Sequence, residues 1–66
     1  MRLTINGEVT EVERATVFDV VREMGAGSGP GIAVAVNGEV VARSEWAEAT
    51  LEDGDRVEVL RAIGGG

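Results

Sequence analysis

The four residues Asn-Gly-Glu-Val occur twice in this chain, at 6–9 and at 37–40, and each copy fixes a strand pairing. A two-residue hairpin turn needs φ > 0 at both central positions, which asparagine tolerates and glycine adopts without steric cost. Both copies sit between apolar runs, so each predicts a tight hairpin whose register follows by counting outward from the turn. Around Asn6-Gly7 the count pairs Leu3 with Thr10 and Met1 with Val12. It puts Met1, Leu3 and Ile5 on one face, with Val9 opposite Thr4 on the other. Around Asn37-Gly38 it pairs Val34 with Val41 and places Ile32, Val34, Val36 and Val41 on the core face. The flanks of the two copies differ, so they read as two hairpins of one turn type and not as an internal repeat.

Between the hairpins, Thr16 with Asp19 three residues on is a capping-box variant with a carboxylate in the first helical turn. Val17, Val20, Val21 and Met24 then follow at i, i+3, i+4 and i+7, one buried stripe, and Gly25 is the expected left-handed cap. About two turns of helix cannot stand alone, so this one must lie on a sheet. Gly25 to Gly31 reads as a flexible crossover. A phosphate loop is the tempting alternative, but the stretch has neither the G-K-[ST] ending nor the G-x-G-x-x-G spacing. Ser44-Glu45-Trp46 suggests a short turn or helical segment, Asp53-Gly54-Asp55 a turn, and Arg56 to Ile63 a last strand with Val57 and Val59 inward. Strand, strand, helix, strand, short strand, strand is the order. An α+β domain satisfies it: a mixed four- to five-stranded sheet with one helix packed across one face, first and last strands parallel at the centre. That is the β-grasp, or ubiquitin-like, arrangement, expected over residues 1–63.

Composition narrows the chemistry. Sixty-six residues form one domain with one small core and no room for a deep pocket. Histidine and cysteine are absent, which removes disulfides, imidazole or thiolate metal sites and the usual general base. Twelve acidic residues against six arginines give a net charge of −6, which repels nucleic acid and suits a basic protein partner. With no lysine, the chain can neither form a Schiff base nor accept an isopeptide bond. No apolar run reaches the roughly 20 residues of a membrane span, and no signal-peptide core is visible, so a soluble, cytoplasmic protein is the expectation.

The chain runs out in Gly64-Gly65-Gly66. Glycine without a Cβ gives a thin, flexible strip, here 64–66, ending in an unhindered carboxylate that can be threaded into a narrow catalytic cleft. The same composition also suits a frayed chain end.

Several stretches together resemble the ThiS family of sulfur carriers. They are Ala33-Val34-Ala35-Val36 before the Asn37-Gly38 turn, Val40-Val41-Ala42-Arg43 with Trp46 after it, Leu51 with Asp53-Gly54-Asp55, Val57, Val59, and the terminal Gly65-Gly66. The likeness covers essentially Met1 to Gly66. The third glycine, Gly64, departs from it, since relatives often carry a larger residue there. The Gly-Gly end and the Asp-Gly-Asp turn are shared with the small subunit of molybdopterin synthase. Arg43, Trp46 and the length point instead to the ThiS family. The resemblance implies a protein co-substrate and not an enzyme. A ThiF-like adenylyltransferase would use ATP and Mg to adenylylate Gly66, and sulfur from a persulfide donor would displace AMP to leave a thiocarboxylate. A ThiG-like thiazole synthase would take that sulfur for the thiazole of thiamine. The chain itself would bind no cofactor or metal and would be a monomer when free. A molybdopterin or other sulfur carrier, a ubiquitin-like modifier, and a plain β-grasp binding module with an inert tail remain alternatives.

The expected address for such partners is the open sheet face, where Ala33, Ala35, Val40 and Leu60 form a small apolar patch rimmed by Glu58. Scattered surface apolarity is the bland explanation. Trp46 reads as a lid on the core, Arg43 and Arg61 as rim charges. Glu8, Glu11, Glu13, Glu45, Glu48 and Glu52 read as a solubilising surface that also steers toward a basic partner. No two of them make an acid–base dyad.

Overall fold

Both Asn-Gly turns form as counted. In a computed structural model, which describes residues 1–13, 15–24 and 31–61, strand β1 (Arg2–Ile5) turns into β2 (Glu8–Glu11) with Leu3 opposite Thr10 and Thr4 opposite Val9. Strand β3 (Ile32–Val36) turns into β4 (Glu39–Val41) with Val34 opposite Val41. Asn6 and Asn37 adopt the left-handed region at φ 49° and 51°, each followed by a glycine at φ 84° or 86°. The last strand, β5 (Arg56–Arg61), enters between the two hairpins, parallel to β1 and antiparallel to β3. The sheet order is β2-β1-β5-β3-β4, five mixed strands with β5 at the centre.

Helix α1 (Val17–Glu23) begins where the sequence indicates. The Asp19 backbone N–H donates to Thr16 Oγ1 at 3.2 Å, while the Asp19 carboxylate accepts the Thr16 backbone N–H at 3.0 Å. The Thr16 backbone N–H and the Thr16 hydroxyl, which donates to Asp19 Oδ2 at 3.1 Å, with Arg22 beside it, hold the Asp19 carboxyl below its ordinary value. A helix leaves its first N–H groups without internal partners. Here the 46–51 segment supplies two of them: Val17 N–H donates to Ala49 O at 2.9 Å and Phe18 N–H to Trp46 O at 3.0 Å. The long stretch after β4 is thus tied to the helix start.

The core lies between α1 and one sheet face: Leu3, Val34, Val57 and Val59 from strands, Val17, Val20 and Val21 from the helix, with Ala15, Trp46 and Leu51 closing the end. Among the described residues no polar side chain is buried. A 3₁₀ turn (Arg43–Glu45) delivers Trp46 into the core, where its Nε1–H donates to Val41 O at 3.0 Å and its ring lies 4.9 Å beneath the Arg43 guanidinium. Arg43 is therefore stacked on Trp46 and is not a simple rim charge.

One helix position departs from expectation. Met24 continues the spacing of the stripe but is 43% exposed. The helix ends at Glu23 and Met24 is its C-cap, and its side chain borders an open groove with Ile5, Val12 and Val20. The expected Gly25 cap, most of the crossover and the end of the last strand at Ile63 lie outside the described residues.

Candidate functional site

Strand β5 carries the sequence Arg-Val-Glu-Val-Leu-Arg, and its alternation builds both sides of the sheet. Val57 and Val59 point into the core, so Glu58 and Leu60 point out. Register then sets their neighbours. Glu58 lies beside Ala35, which lies beside Val40, and one step further along Leu60 lies beside Ala33. Leu60 is 64% exposed and Val40 80%, Ala33 is exposed and Ala35 half-buried. The four apolar residues expected to form the patch, and Glu58 at its rim, are thus cross-strand neighbours on β3, β4 and β5.

The patch has limits on the page. Toward β1 the open face turns polar, with Arg56 paired to Thr4 and Thr4 to Val9. Val9 is as exposed as Leu60 but stands on the far edge strand, beyond that polar pair. The carboxylates of Glu8, Glu11, Glu13, Glu45, Glu48 and Glu52 are at the surface as expected, and Glu11 meets Arg2 at 3.1 Å. Among the described residues no group of three or more acidic side chains stands where it could hold a metal ion. Among the same residues no helix is long and apolar enough to cross a membrane.

The reactive end expected at Gly64, Gly65 and Gly66 lies outside the described residues. What is described is its root: β5 reaches Arg61, paired with Ile32. Sequence reasoning missed one contributor to that root, the side chain of Asn6. Its Oδ1 accepts the Val59 N–H at 2.8 Å and its Nδ2 donates to Val59 O at 3.2 Å. The Asn-Gly pair explained Asn6 fully as a turn residue, and nothing local indicated a partner fifty-three positions away.

The model of the ThiS family matches residues 3–66. The chain is 39% identical over 67 aligned positions to a thiazole synthase of Paramagnetospirillum magneticum, covering all of this chain and 20% of that protein. It is 39% identical over 36 residues to the sulfur carrier protein ThiS of Escherichia coli, covering 54% of each. The chain thus spans a fifth of one of these relatives and about half of the other. Among solved structures, the crystal structure of thiamine biosynthesis protein ThiS from Geobacter metallireducens superposes with a TM-score of 0.81 at 35% identity, covering the whole of both chains. A solution structure of a thiamine biosynthesis protein from that organism gives 0.80. With a match running from Leu3 to Gly66 and the same β-grasp arrangement at a third identity throughout, this chain belongs to the ThiS family.

Proposed function

We propose that the chain is a sulfur carrier of thiamine thiazole synthesis, acting as a protein co-substrate and not as a catalyst. A carboxylate is a poor electrophile until one oxygen becomes a good leaving group. A ThiF-like adenylyltransferase supplies this by joining Gly66 to AMP from Mg-ATP with release of pyrophosphate. A persulfide donor then attacks the carbonyl and expels AMP. A thiol cleaves the resulting S–S bond, leaving the thiocarboxylate on Gly66 and a disulfide on the donor side. Sulfur so held is a soft nucleophile that never passes through free sulfide, and a ThiG-like thiazole synthase consumes it.

The observation that carries this reading is the family match, which runs through Gly66. The similarity of the whole chain to a stretch of a thiazole synthase supports the choice of consumer. In this reading Ala33, Ala35, Val40, Leu60 and Glu58 dock the activating enzyme, Gly64 and Gly65 let the end be threaded, the free carrier is a monomer, and the use of ATP implies a cytoplasmic setting. Intact mass spectrometry of the protein recovered from its own cells tests it. The expected species has one terminal oxygen replaced by sulfur, and deletion of Gly66 removes it. Ladders of conjugates would instead mark a protein modifier. A wild-type mass with no modified fraction, in cells making thiamine through this chain, would overturn the proposal.

A further inference from the structure

Strand β5 outruns its parallel partner. The rungs from β1 come from Thr4 N–H to Asp55 O at 3.0 Å and from Asn6 N–H to Val57 O at 2.9 Å, after which the chain turns at Gly7. Val59, next on that side of β5, would face no backbone of β1. The Asn6 carboxamide occupies that place, accepting from the Val59 N–H and donating to its carbonyl. A primary amide is a peptide group in miniature, with an acceptor and a donor at the right separation, so the side chain adds one more rung. Resting on the sulfur-carrier reading, we infer that Asn6 is a positioning residue for the reactive tail: it holds β5 between two neighbours as far as Val59, and so fixes where the chain leaves the domain.

The second Asn-Gly turn gives the comparison that makes this specific. Asn37 also clamps β5, with its Oδ1 accepting the Arg56 N–H at 2.9 Å, its own N–H donating to Arg56 O at 2.8 Å and its Nδ2 donating to Asp55 Oδ1 at 2.9 Å. That clamp sits at the start of β5, the end remote from the tail. Both asparagines have left-handed φ, which glycine accepts equally, so Asn→Gly at either site removes the carboxamide without straining the turn. Without Asn6 the last two-sided rung retreats from Val59 to Val57, and more of the chain must be ordered when the tail enters a cleft. The chemistry at the bound carboxylate is untouched, so the cost falls on binding and not on turnover.

The test uses the full chain, its activating enzyme and Mg-ATP, with pyrophosphate release as the rate. Amide hydrogen exchange on the free carrier reads the clamp. Asn6→Gly is expected to lose protection at Val59 and to raise KM about ten-fold, the equivalent of ordering one further backbone residue, with kcat unchanged. Asn37→Gly is expected to lower the melting temperature comparably while keeping the wild-type KM. Should Asn6→Gly not fold, Asn6→Asp keeps the acceptor of the Val59 N–H and loses only the donor to its carbonyl, so protection at Val59 is expected to persist while KM rises less than in the glycine variant, with kcat unchanged. A wild-type KM for either Asn6 variant, undiminished protection at Val59 in Asn6→Gly, or equal KM increases at the two sites would each overturn the inference. A wild-type chain that is never adenylylated would instead sink the carrier reading, while exchange at Val59 still reports on the clamp.

Discussion

The two faces of the sheet are built from alternate residues of the same strands, yet only one is explained by folding. On the packed face Leu3, Val34, Val57 and Val59 meet α1, Trp46 and Leu51 and are buried. On the open face Ala33, Val40 and Leu60 stand exposed and Ala35 half-buried. Antiparallel sheets commonly put polar residues on a solvated face, and alanine is a poor strand former. Neither strand formation nor the core therefore accounts for Ala33 and Ala35, or for a leucine and a valine left in water. The packed face supplies stability, and the open one is available for something outside the chain.

That division can be broken from the packed side first. Leu3 is 0% exposed, and Leu3→Ala should cost about 2–5 kcal/mol through lost burial and the cavity left behind. A domain of this size holds only about 3–10 kcal/mol in all, so urea unfolding should show a large fall in midpoint or a chain already unfolded. An unchanged midpoint would mean that the core is not where stability resides. Trp46→Phe comes next. It keeps most of the apolar bulk but strands the Val41 carbonyl that Nε1–H now satisfies, at a cost of about 1–3 kcal/mol. Circular dichroism is the proper readout, since the variant removes the only tryptophan.

Smaller again is the cap of α1. Thr16→Ala should cost about 1 kcal/mol by removing the acceptor for the Asp19 N–H. Its pH dependence sharpens the prediction. Because the Thr16 backbone and hydroxyl, and then Arg22, lower the Asp19 pKa in the folded state, that carboxylate's contribution is complete above the unfolded value. It is lost as pH falls through the lowered folded value. The stability difference between wild type and Thr16→Ala should therefore be constant near neutrality and shrink below about pH 4. A gap that shrank at neutral pH instead would exclude Asp19 as its source.

These contrasts also show what could be read in advance. Registers followed from Asn6-Gly7 and Asn37-Gly38 because a two-residue turn leaves no freedom in counting, and Val57 and Val59 followed from alternation. Thr16 and Asp19 announced the helix start through chemistry confined to four residues. Met24 was misplaced because periodicity says which side of a helix a residue is on, not where the helix ends. Arg43 over Trp46 and Asn6 on Val59 were invisible for a related reason. Each depends on where two distant segments come to rest, and neither leaves a local trace. The open-face patch was legible as a set of outward positions, since register alone makes Ala35 and Val40 neighbours.

The smallest effect on stability should come from the open face itself, and there the comparison is most exposed to failure. Leu60→Glu replaces a side chain already 64% in water, so its unfolding free energy should stay within about 0.5 kcal/mol of wild type. Placed two residues from Glu58 and beside Ala33, the new carboxylate nevertheless puts charge in the middle of the apolar set. If that set docks the activating enzyme, adenylylation should fall at least about ten-fold, the effect of a like or unpaired charge forced into an interface. Val9→Glu is the matched control, equally exposed on the same face but separated from the patch by Thr4 and Arg56, and should be activated at the normal rate. Two variants that unfold alike and are activated alike would return Leu60 and Val40 to ordinary surface apolarity. A selective loss at Leu60 would locate the binding energy on the half of the sheet that folding does not require.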